Sequence, residues 1–121
     1  MIGEAAGHSL RGTIMLSSNL FDRLGWHDLI DASITSDEVP RGRPHPDMLG
    51  ALMARTGVAD PRRVAKVGDT PVDLEEGFNA GCGLNVGVTT GGNPHSVLER
   101  YPHTHILASV AELPRLLGLI G

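Results

Sequence analysis

The chain has 121 residues, 40% of them hydrophobic and 20% charged, enough for one compact domain with a core and too few for two. Aromatic residues make up only 3%, so that core must be built from Val, Leu, Ile, Ala and Met. The formal charge of −4 is spread without an acidic or basic block, which argues against nucleic acid as a main partner, because phosphate-backbone binding needs a concentrated Lys/Arg surface.

No apolar run approaches the roughly 20 residues that span a bilayer. The opening Met1-Ile2-Gly3-Glu4 has neither the basic nor the apolar segment of a signal peptide. Cys82 is the single cysteine and excludes an internal disulfide framework. A cytoplasmic protein without membrane contact is the expectation.

In chain order, residues 1–9 read as an irregular N-terminus, with no strand pattern over Gly3–His8. Leu10, Ile14, Ser17, Leu20, Phe21 and Leu24 fall at spacings of three and four, which predicts a helix from Leu10 to Leu24 closed by Gly25. A short β-like run follows at Ala32–Thr35. The loop from Ser36 to His45 leads to a helix opened by Pro46, with Met48, Leu49, Leu52 and Met53 on its apolar face and Gly57 at its end. Arg63–Val67 reads as a buried strand running into Gly68-Asp69, and Pro71 opens a helix that ends near Gly81. Leu84–Thr89 is the next strand, followed by the turn Thr90-Gly91-Gly92-Asn93 and a short helix begun by Pro94. His105–Leu107 is the last strand and Val110–Leu117 the last helix, with Ser109 as its N-cap. This alternation predicts a single α/β domain over residues 1–121, with a parallel sheet flanked by helices. Ligands of such sheets bind outside the carboxyl ends of the strands, where the loop Gly68–Asp73 falls.

Two features on that edge carry chemistry. Asp69 directly follows a buried strand, and Asp73 comes four residues later, after Pro71 has begun a helix. Two carboxylates converging on one volume suit a hard cation such as Mg²⁺. The plainer reading is an acidic first turn that only stabilises its helix. Arg43, in Gly42-Arg43-Pro44-His45-Pro46, sits on a loop stiffened by two prolines. It can serve as a phosphate clamp or as a partner for the acids; the plainer reading is an exposed loop arginine. His103 and His105 have no third ligand nearby in sequence, His45 reads as a loop residue, and Cys82 has no neighbouring base. The Thr89–Gly92 turn reads as a connection and only weakly as an anion nest.

The segments Ser36–Pro46, Val67-Gly68-Asp69-Thr70-Pro71-Val72-Asp73-Leu74-Glu75-Glu76-Gly77, Ala80-Gly81-Cys82-Gly83, Val86–Gly91 and His103–Leu107 together resemble the haloacid dehalogenase (HAD) superfamily in order and spacing. Arginine in Gly-Arg-Pro-x-Pro, where most relatives carry lysine, is similar to the phosphonatase-like branch, that of phosphonoacetaldehyde hydrolase and its relatives. The resemblance runs from about Gly12 to the end. It implies a Rossmann-like three-layer fold and a hydrolase acting on a small-molecule phosphate or phosphonate. It further implies that Asp69 coordinates Mg²⁺, that Asp73 assists directly or through water, and that Arg43 orients the nucleophile and the transferring phosphoryl group.

Against the family pattern, the chain has no Asp-x-Asp nucleophile motif and no cap domain. Asp28-Leu29-Ile30-Asp31 has the wrong spacing to replace the motif. The apolar strand leading to the family's Ser/Thr motif is not legible, and Ser9 stands nearest to the expected phosphate-binding hydroxyl. Lys66 reads as a strand residue pointing away from, or flanking, the core. Without its nucleophile strand the sheet must close a central gap, fill it from another chain or stay incomplete, so homodimerisation or poor solubility is expected. The alternative function is a catalytically inactive binding or interaction module that keeps the acidic metal loop.

Overall fold

The computed structural model describes residues 3–9, 12–17 and 32–116. Within them lies one six-stranded sheet: β1 Gly3–Ser9, β2 Gly12–Ser17, β3 Ala32–Thr35, β4 Val64–Gly68, β5 Leu84–Val88 and β6 His105–Leu107, in the order β3-β1-β2-β4-β5-β6. The pairs β2–β4, β4–β5 and β5–β6 are parallel, whereas β1 is antiparallel to both β2 and β3. Five strands therefore point one way and only β1 opposes them.

The helices are α1 Asp47–Thr56, α2 Pro71–Ala80, α3 His95–Leu98 and α4 Leu113–Leu116. Gly57 and Gly81 stop the first two by taking the left-handed conformation, at φ 75° and 76°. Ser109 caps the 3₁₀ turn Val110–Glu112 that leads into α4, its side chain accepting from the Ala111 amide.

Both faces of the sheet are covered. Ile14, Ala65, Val67, Val86 and Val88 form one core cluster with Val110 and Leu113 of the C-terminal segment. Met15 and Val64 join Met48, Leu49 and Leu52 of α1 in a second cluster on the other face. Consecutive residues on β2 and β4 thus serve opposite faces, as strand geometry requires, and α1 and α2 share one side.

Three expectations change at the N-terminal end. The supposed irregular segment Gly3–His8 lies in β1, and the first half of the expected helix Leu10–Leu24 is the strand β2. Ile14 and Met15 are both buried, one on each face, so the segment packs as a two-sided strand and not as a helix with one apolar stripe. The later part of that helix, Gly25 and the segment Asp28–Asp31 lie outside the described residues. The third change concerns the central gap. β2 is hydrogen-bonded directly to β4, with Leu16 opposite Val67, so the chain closes the sheet with its own hairpin.

Candidate functional site

β4 delivers Gly68 and Asp69 to the carboxyl edge of the sheet, and Thr70 caps α2 immediately afterwards. Thr70 and Asp73 form a capping box: the Thr70 hydroxyl accepts from the Asp73 amide at 3.3 Å, and Asp73 Oδ2 accepts from the Thr70 amide at 3.2 Å. The same Oδ2 also accepts from the Asp69 amide at 3.1 Å and the Thr70 hydroxyl at 2.9 Å. The other oxygen, Oδ1, accepts from Arg43 Nη1 and lies 3.6 Å from Lys66 Nζ. Asp73 is 1% exposed, with both oxygens committed to its neighbours. Burial raises its proton affinity, but the opposing pull of Lys66, Arg43 and the Thr70 hydroxyl outweighs it and leaves the carboxyl below the usual Asp range.

Arg43 comes from a different part of the chain. The 3₁₀ turn Ser36–Glu38 and the bends after it lead to Arg43-Pro44, whose peptide bond is cis. Asn79 of α2 donates to the Pro44 carbonyl at 2.8 Å, and an ion pair of 3.1 Å joins Arg41 to Asp47 at the start of α1. The loop is therefore fastened to both helices, and Arg43 meets Asp73 across 30 residues of sequence.

Asp69 is placed differently. It is half-buried, and its carboxylate has no ion pair among the described residues. Its carbonyl accepts from Asn93 Nδ2 at 3.0 Å, and a Cβ built on Gly91 would stand 2.1 Å from Asp69 Oδ2. The Thr90–Asn93 turn thus forms a wall against which Asp69 rests, a role beyond the simple connection expected. As a test of fit for Mg²⁺, the described residues offer one uncommitted carboxylate in a cradle that admits only glycine. No group of three His, Cys, Asp or Glu side chains converges among them. Mg²⁺ commonly uses one or two carboxylates and completes its shell with water and substrate phosphate, so Asp69 suits one ligand position and leaves the rest to other donors.

Ser9 does not join this site. It pairs with Gly12, at the start of β2, and so stands at the opposite edge of the sheet from Asp69, roughly 20 Å away along the strand direction at a rise of ~3.3 Å per residue. The other end of β2 is the one near the acidic loop, with Leu16 opposite Val67.

Lys66 is also corrected. It is 0% exposed and lies beneath α2, where its Nζ is 2.9 Å from Glu76 Oε1. Burial pushes the Glu76 carboxyl above its ordinary value, only partly offset by Lys66. His45, His103 and His105 are exposed and apart from the acidic loop. Burial raises the Cys82 thiol to about 11, which makes it a poor nucleophile.

A parallel sheet with an acidic loop at its carboxyl edge and an arginine fastened beside it defines a Rossmann-like hydrolase core, and the comparisons agree. The family model for haloacid dehalogenase-like hydrolases matches residues 13–81, and the chain belongs to that family. It is 36% identical over 102 residues to a phosphonoacetaldehyde hydrolase of Latilactobacillus sakei, covering 81% of this chain and 37% of that one. It is 31% identical over 115 residues to that of Bacteroides fragilis, covering 76% and 43%. The chain thus spans about two fifths of the length of these curated relatives. Among solved structures it resembles a haloacid dehalogenase-like hydrolase from Bacteroides fragilis, with TM-score 0.66, 27% identity and coverage of 81% of this chain and 49% of that one. A HAD family hydrolase from Deinococcus radiodurans, solved with bound phosphate and sodium, gives TM-score 0.63 and 28% identity, covering 82% and 45%.

Proposed function

We propose that this chain supplies the metal-loop half of an active site for Mg²⁺-assisted phosphoryl transfer from a small phosphate or phosphonate compound, in a cytoplasmic setting. The observation that carries the reading is the division of labour between the two aspartates. Asp69 keeps an uncommitted carboxylate at the carboxyl edge, while Asp73 ties the Asp69 amide to the Arg43 guanidinium. Asp69 would hold the metal, which when bound would neutralise charge on phosphoryl oxygens. Asp73 acts from behind, and Arg43 binds the phosphoryl group from the other side. In a Mg²⁺ titration followed by amide NMR, residues 68–73 should shift in the native chain and stay still in Asp69→Asn. Equal binding by the variant would sink the assignment.

A specific observation favours a second reading, a non-catalytic module that retains the metal loop. The strand beside β4 ends in serine, and no Asp-x-Asp occurs in the 121 residues. We expect this chain to give no turnover of an aryl phosphate with Mg²⁺. Turnover that disappears in Asp69→Ala would reject the non-catalytic reading and show that another group serves as nucleophile.

A further inference from the structure

Asp69 stands just beyond the sheet's own hydrogen bonding. The β4–β5 ladder ends with Gly68 opposite Gly87, and the β2–β4 ladder ends one residue earlier at Val67. Side chains take over its two backbone polar groups. The Asp69 amide donates to Asp73 Oδ2 at 3.1 Å, and the Asp69 carbonyl accepts from Asn93 Nδ2 at 3.0 Å. A residue gripped at both N–H and C=O keeps little freedom in φ and ψ, which set the direction of its Cα–Cβ bond.

The turn that carries Asn93 is itself anchored. Thr89 at its start donates to the Ala108 carbonyl at 3.1 Å, and Pro94, with φ −73°, follows Asn93 directly. Gly91 lies between these anchors. Its φ is not positive, whereas Gly92 takes φ 100°, so the backbone does not demand glycine at 91. The space does: a Cβ there would stand 2.1 Å from Asp69 Oδ2, 2.5 Å from Cγ and 2.6 Å from Cβ. Turning the carboxylate away cannot relieve the last contact, because that Cβ moves only with the backbone.

We infer that Asn93 is a positioning residue: by holding the Asp69 carbonyl it keeps the turn after β5 against the acidic loop, with Gly91 as the wall that confines the Asp69 carboxylate to one direction. The functional meaning rests on the proposed role of Asp69 as a metal ligand, but the geometry does not. A carboxylate already held in one rotamer loses less side-chain entropy on engaging a cation than one that samples several.

The test reads the Asp69 side chain in the chain without metal. Three-bond couplings from its carboxyl carbon to its own amide nitrogen and carbonyl carbon report χ1. In the native chain they should describe one rotamer. In Asn93→Leu, which keeps the size and removes the donor, they should average over several. Gly91→Ala should part the turn from the loop and give the same averaging. A turn that only stabilises the fold predicts a lower urea midpoint with the Asp69 couplings unchanged, and that result would overturn the inference. Averaging already present in the native chain would overturn it as well, and averaging in Gly91→Ala alone would overturn the role of Asn93. If Asn93→Leu fails to fold, Asn93→Ala is read in the same way. Mg²⁺ followed by amide shifts should bind roughly tenfold more weakly to the Asn93 variant, as for residues that support a metal ligand from behind, and equal affinity would deny Asn93 any part in the metal site. A native chain that binds no Mg²⁺ would reject Asp69 as a ligand and leave the couplings untouched, so the two proposals fail separately.

Discussion

At Asp73 a single side chain does several jobs, and its neighbours are constrained accordingly. A Cβ on Gly68 would lie 2.1 Å from Asp73 Cβ, and the contact is with a side chain held by its own helix. Gly68→Ala should destabilise the chain by about 1–3 kcal/mol, the usual range for overpacking, in urea unfolding. An unchanged midpoint would mean that the loop relaxes freely. The depressed Asp73 carboxyl has a defined pH consequence. Its folded value lies below the ordinary 3.8, so it contributes stability that is fully present above 3.8 and lost as pH falls through the folded value. Asp73→Asn should flatten that acid limb in urea titrations below pH 4, and an equally steep limb would assign the loss to other carboxylates. Asp69 and Asp73 were legible in the sequence because strand, proline and spacing coincide within six residues. Lys66 and Glu76 were not, since a charged residue in a five-residue strand reads as exposed unless its partners ten and seven residues away are known to fold back over it. Gly91 and Asn93 escaped for a similar reason: their contact with Asp69 spans more than 20 residues.

Among the elements, glycine has opposite meanings on the two long helices. Gly50 lies exposed in α1 with nothing within 4 Å of a built Cβ, whereas Gly77 in α2 faces Lys66 and Asn85. Gly50→Ala should stabilise by about 0.5–1 kcal/mol through helix propensity. Gly77→Ala should destabilise by about 1–3 kcal/mol because the helix must lift from the sheet. Matched urea melts check the pair, and stabilisation by both would show that α2 does not pack closely on β4 and β5. The boundaries of α1 and α2 were readable from Pro46, Gly57, Pro71 and Gly81, whose backbone restrictions act locally. β2 was not, because Leu10, Ile14 and Ser17 happen to fit a helical period. The decisive pattern was the unbroken Ile14-Met15-Leu16, which a strand covered on both faces tolerates and a one-sided helix does not.

Over the whole molecule the N-terminal hairpin decides how the sheet holds together. β1 is paired on both sides, Ala5 standing opposite Leu16 of β2 and Ser33 of β3. Among the described residues the outer strands are then β3 with four residues and β6 with three, too short to recruit another chain readily. The expectation of a homodimer rested on an open central gap, and the hairpin removes that motive, so the chain should sediment as a monomer. A proline at Ala5 tests the arrangement. In a strand paired on both sides every amide points to one neighbour or the other, so the substitution removes a ladder hydrogen bond wherever it falls. Ala5→Pro should therefore cost well over the ~0.5 kcal/mol typical of loop substitutions, and it should expose the edges of β2 and β3 to association. Sedimentation velocity of the variant should show dimers or larger species growing with concentration while the native chain stays monomeric. A variant with native urea midpoint and native sedimentation would mean that β1 does not stand between β2 and β3. The closure of the sheet beside β4 would then have to come from β2 alone.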